Sequence, residues 1–204
     1  GGNQNATSNT YTFIGGGAAN SASGYMSVVA GGFNSSASGT DSSVGGGRTN
    51  TASGTNSHIG GGLSNAATAA HSTVAGGRAN TANGNCSFVG GGCSNSNSGA
   101  YGFVGGGELN NNTASWGAIG GGVSNSILLG CRMSAIAGGY ANSICGCNAF
   151  IGGGQSNTIT AIHATIGGGA SNAAYGACSS VGGGGGNVAS GLWSTVSGGY
   201  VNAA

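Results

Sequence analysis

Val and Ile return every fifteen residues along the first part of this chain, at Ile14, Val29, Val44, Ile59, Val74, Val89, Val104 and Ile119, and each is followed by a small residue and two glycines. The beat slips once, to Ile136, and resumes at Ile151, Ile166, Val181 and Val196. One short unit copied along a chain predicts a fold set by stacked repeats. Counting the residue after each Val or Ile as position 1, the unit reads G-G-G-x-x-N-x-A-x-G-x-x-S-x-V. Constrained positions 6 and 8 alternate with free positions 7 and 9, and constrained 13 and 15 alternate with free 12 and 14. That period of two predicts two short strands per turn, each with one buried face.

The predicted fold is therefore all-β: a parallel β-solenoid, or β-roll, of about 13–14 stacked fifteen-residue turns with glycine corners, forming a single array over residues 1–204. At roughly 4.8 Å per turn such a stack makes a rod about 60 to 65 Å long. An irregular seventeen-residue turn covers 120–136. Asn125 and Gly130 still mark its corners, so its two extra residues are expected to loop out around Leu128 to Met133 without interrupting the stack.

Position 15 is expected to fill the interior, and position 6 carries a second column: Asn20, Asn50, Asn65, Asn80, Asn95, Asn110, Asn125, Asn142, Asn157, Asn172 and Asn187, with Ser35 the one departure. Stacked amides one turn apart can hydrogen-bond to one another or to the turn backbone, which makes this column a structural ladder. A functional Asn row would need acidic or basic company, and it has none.

Composition sharpens the picture. The chain holds 50 glycines, no proline, three basic and two acidic residues. Such a composition without a period reads as low-complexity disorder, and the strict β-branched beat argues against that reading. The charges, Asp41, Glu108, Arg48, Arg78 and Arg132, are scattered singly, so no basic stripe exists to hold nucleic acid. No apolar stretch is long enough to span a bilayer as a helix. The array opens and stops inside a repeat, and is expected to be part of a longer array or a subunit that stacks end to end through open strand edges.

The outward positions differ. Positions 7 and 9 are chiefly Ser, Thr and Ala. Positions 12 and 14 carry Tyr11, Phe13, Met26, Phe88, Tyr101, Phe103, Trp116, Phe150 and Trp193. Apolar surface of that kind marks contact with another chain, so these residues form the predicted self-association face.

Candidate chemistry is thin. Cys86 and Cys178 share position 12 but lie six turns apart, and Cys145-Gly146-Cys147 lacks the two-residue spacer of a zinc or redox motif. Cys131 and Cys147 each follow a glycine assigned to position 10, and stacking on successive turns would put them within disulfide range. His58, His71 and His163 have no carboxylate or thiol pair beside them, and the glycine runs lack the Lys-Ser or Lys-Thr of a phosphate loop. No catalytic residue, metal site or cofactor is expected, and the chain is read as a non-enzyme.

The string S-x-V-x-G-G-x-x-N-x-A-x-G, present as Ser27 to Gly39 (with Ser35 for Asn), Ser42 to Gly54 and Ser179 to Gly191, resembles the head repeats of trimeric autotransporter adhesins, and is similar to repeats of phage or viral fibres. The resemblance covers essentially the whole chain. It implies a parallel β-roll, three chains side by side, and a surface-exposed rod that adheres to host or neighbouring cells. The function expected is thus a structural or adhesive extracellular rod that assembles with itself into a fibre or a trimeric surface adhesin. An ice-binding solenoid is the alternative, since a flat Ser/Thr face suits it, although Thr158 and Thr160 are the only Thr-x-Thr pair on positions 7 and 9. A carbohydrate module using Trp116 and Trp193 would need clustered polar partners that are absent.

Overall fold

The computed structural model describes residues 1–204 and contains β-strands and no helix. The chain divides into two compact units, Gly1–Tyr101 and Gly102–Ala204. Each is a parallel β-solenoid of stacked turns, about thirteen turns in all.

In the first unit, two-residue strands at positions 7 and 8, such as Ser21–Ala22, Ser36–Ala37 and Thr51–Ala52, pair in parallel with their equivalents one turn on. Strands at positions 14 and 15, such as Val28–Val29, Ser43–Val44 and His58–Ile59, form a second sheet with the same fifteen-residue register. The ladder is regular: Thr51 N–H donates to Asn65 O at 2.9 Å and Ser53 N–H to Ala67 O at 3.0 Å. Position 4 adds a third line of parallel contacts, running Ala18, Phe33, Arg48, Leu63, Arg78, Cys93 as isolated bridges. The period-two pattern did not reveal this line because a single-residue bridge leaves no alternation.

The second unit repeats the plan from Phe103–Val104 to Thr195–Val196 on one sheet and from Asn111–Asn112 to Val188–Ala189 on the other. The seventeen-residue turn keeps its place: Ala118 pairs with Ala135, Ile119 with Ile136, and Ser126 with Ser143. Its register differs from the sequence expectation. Met133 N–H donates to Ser115 O, the bond that position 12 makes to position 11 of the preceding turn elsewhere, as from Met26 to Thr10. Counting back from Met133, the extra residues are Leu129 and Gly130. Buried Cys131 takes the place of the position-10 glycine, so Gly130 belongs to the bulge and not to the corner.

The interior is thin. Position 15 is fully buried throughout most of both units, across the interior from the small position-8 residues Ala22, Ala37, Ala52, Ala67 and Ala82 in the first. The Asn column is its polar wall. Asn65 is 1 % exposed. Its Oδ1 accepts the Asn80 N–H at 2.9 Å, and its Nδ2 donates to Gly61 O and to Gly77 O, both at 2.9 Å. Each amide thereby ties a carbonyl of its own corner to one of the next, adding a second donor to groups such as Gly77 O, which also accepts the Leu63 N–H at 2.9 Å. Position 3 must be glycine for this to work: Gly62 has φ +95°, and a Cβ there would lie 2.1 Å from Gly77 O and 2.7 Å from Asn65 Nδ2.

Candidate interaction surfaces

No three His, Cys, Asp or Glu side chains come together in a way that could hold a metal ion. No helix is long and apolar enough to cross a membrane. The features that could act are the outward columns, and the backbone decides how each is displayed.

Positions 12 and 14 do not alternate along one strand, as the sequence pattern suggests. Position 14 lies on the second sheet, where Phe13, Phe88, Phe103 and Phe150 project from strands. Position 12 is a corner in the left-handed region, with φ 59° at Tyr11, 55° at Met26, 57° at Tyr101, 55° at Trp116 and 60° at Trp193. An L-residue other than Gly, Asn or Asp is strained there by about 1–2 kcal/mol. The corner holds because its N–H is tied to the neighbouring turn, as from Trp193 to Ala177 O at 3.0 Å. Some turns fill it with the residues that suit it, Asp41, Asn56 and Asn148. Others place large rings there. Trp193 is 72 % and Tyr11 70 % exposed.

In the first unit, Tyr11 and Phe13 stand with Tyr25 and Met26, and the Tyr11 and Tyr25 rings meet edge-to-face at 5.8 Å. In the second unit, Trp116, Met133 and Trp193 occupy exposed left-handed corners, and Ile162 and Leu192 stand exposed at position 11. The sequence pattern missed position 11, which is Thr, Ala or Asn in most turns and so showed no column. It also missed the opposite corner, where position 4 exposes Phe33, Leu63, Tyr140 and Tyr200. There Arg48 lies over the Phe33 ring at 5.3 Å from its centroid, and Arg78 Nη2 donates to Cys93 Sγ at 3.1 Å.

The first sheet of the first unit is different. Position 7 presents Ser21, Ser36, Thr51, Ala66, Thr81 and Ser96, and position 9 presents Ser23, Ser38, Ser53, Thr68, Asn83 and Ser98. No ring interrupts them. In the second unit the same columns include Leu128, Cys145, Tyr175 and Val188.

The ladder asparagines from Asn20 to Asn187 are all buried at the Gly corner, and bond as described for Asn65. All six cysteines are free thiols. The register places Cys131 at position 10 and Cys147 at position 11, so these two are not equivalents on successive turns. Cys147 Sγ donates instead to Gly130 O at 2.8 Å. Burial, and then the neighbouring Cys145 and Cys147 thiols, push the Cys131 thiol up to about 11. His58 Nδ1 and Ser43 Oγ lie 2.8 Å apart on the exposed face, without a carboxylate to complete a catalytic set.

No protein-family model matches the chain, and no curated protein is similar enough to match it.

Proposed function

We propose that this chain is a non-catalytic structural and adhesive module, displayed outside the cell, whose copies associate side by side through the aromatic corners and the adjoining position-14 residues into a fibre or a trimeric adhesin. The observation that carries the reading is the use of Tyr11, Met26, Trp116 and Trp193 on left-handed corners. A residue that strains the backbone and buries little has no local reason to be there, and bulky residues in that region point to a role beyond the fold. With three basic and two acidic residues in 204, copies meet without electrostatic repulsion, and exposed rings are the groups that gain most on contact. Adhesion to host or neighbouring cells extends the same surface to a foreign partner.

The test uses Tyr11→Asn and Trp193→Asn. Each is expected to raise thermal stability modestly, because Asn suits the left-handed corner, while lowering the assembly mass seen by sedimentation and electron microscopy. Unchanged assembly in the double variant removes the proposed interface.

A second reading, ice binding, is favoured by one observation: the unbroken small, mainly hydroxylated columns of the first unit at positions 7 and 9. Thermal hysteresis that survives Tyr11→Asn and Trp193→Asn but is lost on Thr51→Tyr would favour it over self-association.

A further inference from the structure

The seventeen-residue turn gathers chemistry that the remaining turns lack. Cys131 is buried in the place a position-10 glycine takes elsewhere. Cys145, at position 9 of the following turn, is exposed and stacks under Leu128, whose carbonyl accepts the Cys131 N–H at 3.2 Å, so the bulge brings Cys131 back beside it. Cys147 closes the group, with its Sγ on Gly130 O at 2.8 Å. The backbone holds the turns in register around them: Leu128 N–H donates to Ile144 O at 3.0 Å, and Asn148 N–H to Arg132 O at 2.9 Å. A buried thiol beside an exposed one on the adjacent turn is the arrangement of a resolving and an attacking cysteine.

We propose that Cys145 and Cys131 form a thiol–disulfide exchange site that takes a low-molecular-weight disulfide as oxidant and closes into a Cys131–Cys145 bridge. The exposed Cys145 thiolate attacks one sulfur of the oxidant RS–SR, forming Cys145–S–SR and releasing RS⁻. Cys131 then attacks the Cys145 sulfur, the S–SR bond breaks, and the Cys131 proton ends on the second RS⁻. Two protein thiols are oxidised and one disulfide is reduced to two RSH. Cys131 is the resolving partner because it is buried and held protonated. The bridge ties the base of the Leu129–Gly130 bulge to the next turn, fixing the one irregular segment of the stack. The site stands independently of any association between copies.

The test equilibrates the full chain with glutathione disulfide and glutathione over a range of ratios, alkylates the remaining thiols, and digests with trypsin without reduction. Cleavage after Arg132 separates Cys131 from Cys145 and Cys147, so the peptides 79–132 and 133–204 stay joined only by a bridge. The expected result is a Cys131–Cys145 linkage that accumulates through a mixed disulfide on Cys145. Cys147→Ser should leave the linkage intact and Cys145→Ser should abolish it, with circular dichroism unchanged in both. A linkage that persists in Cys145→Ser, bridging between chains in preference to within one, or six thiols still free at the most oxidising ratio would each overturn the assignment.

Discussion

The two units share one plan but fill it differently. In the first, position 8 is Ala at Ala22, Ala37, Ala52, Ala67 and Ala82, giving way to Asn97 at the unit's last turn, and position 13 opposite those alanines is Ser at Ser27, Ser42, Ser57, Ser72 and Ser87. In the second, position 8 enlarges to Asn112, Ile127, Ile144 and Ile159, and position 13 of three of those turns shrinks to Gly117, Ala149 and Ala164. The fourth, Ile127 with Ser134, is the turn lengthened by two residues. There the Ser134 hydroxyl donates to Gly146 O at 2.8 Å. Positions 8 and 13 thus trade size within a turn, and the Asn112 pair shows the contact directly: a Cβ on Gly117 would lie 2.3 Å from Asn112 Oδ1, while Asn112 Nδ2 donates to Gly117 O at 2.9 Å. Polarity follows the same trade. The Ser27, Ser42, Ser57 and Ser87 hydroxyls are buried without a partner, and the turns with Ile144 and Ile159 have no such hydroxyl to bury. A thin core tolerates an orphan hydroxyl beside Ala more readily than beside Ile.

The sharpest way to break this comparison is Gly117→Ser. The substitution is expected to destabilise the second unit by about 3 kcal/mol through overpacking against Asn112. The Asn112→Ala/Gly117→Ser double variant, which copies the first unit, should recover most of that loss in a urea-unfolding cycle. Additive losses would show that the two positions do not share space.

A second contrast is the buried thiol of the second unit. An unfolded thiol ionises near 9.0, and in the folded chain Cys131 is held up to about 11 by burial and by Cys145 and Cys147. The folded state therefore keeps a proton that the unfolded state has released. Its contribution is complete below pH about 9, falls as pH rises and is gone near 11, on the order of 1–2 kcal/mol. The urea midpoint of the second unit should fall over that window, and Cys131→Ala should flatten the response.

The third contrast is the Asn ladder, unbroken from Asn110 to Asn202 in the second unit and interrupted at Ser35 in the first. Ser35 Oγ accepts the Asn50 N–H only at 3.3 Å and offers no amide to Gly31 O or Gly47 O. Ser35→Asn is expected to stabilise the first unit by about 1 kcal/mol, read from its urea midpoint.

The fold was legible because a fifteen-residue column of Val and Ile has no other economical arrangement, and the Asn column was legible as structural because it has no charged company. Other features left a weaker trace. Left-handed corners at positions 5 and 12 accept Thr49, Met26 and Trp193 as well as Asn34 and Asn56, so composition does not mark them. The position-4 bridges vary from Phe33 to Arg48 to Cys93. The offset at Cys131 depended on which of two adjacent residues entered the interior, and a glycine beside a cysteine does not decide that from spacing. The trade between positions 8 and 13 was present in the sequence all along, as Ile144 with Ala149 and Ile159 with Ala164. It acquires a cause only when the two columns are seen to meet.

The account rests on turns stacked in register over a buried amide ladder, and side-chain amide exchange followed by nuclear magnetic resonance tests that directly. The Nδ2 protons of Asn50, Asn65, Asn125 and Asn157, buried and bonded to corner carbonyls, are expected to exchange slowly, surviving long after those of exposed Asn56, Asn85 and Asn148 have been replaced. Ladder amides that exchange as fast as the exposed ones would contradict the buried ladder and the stack built on it.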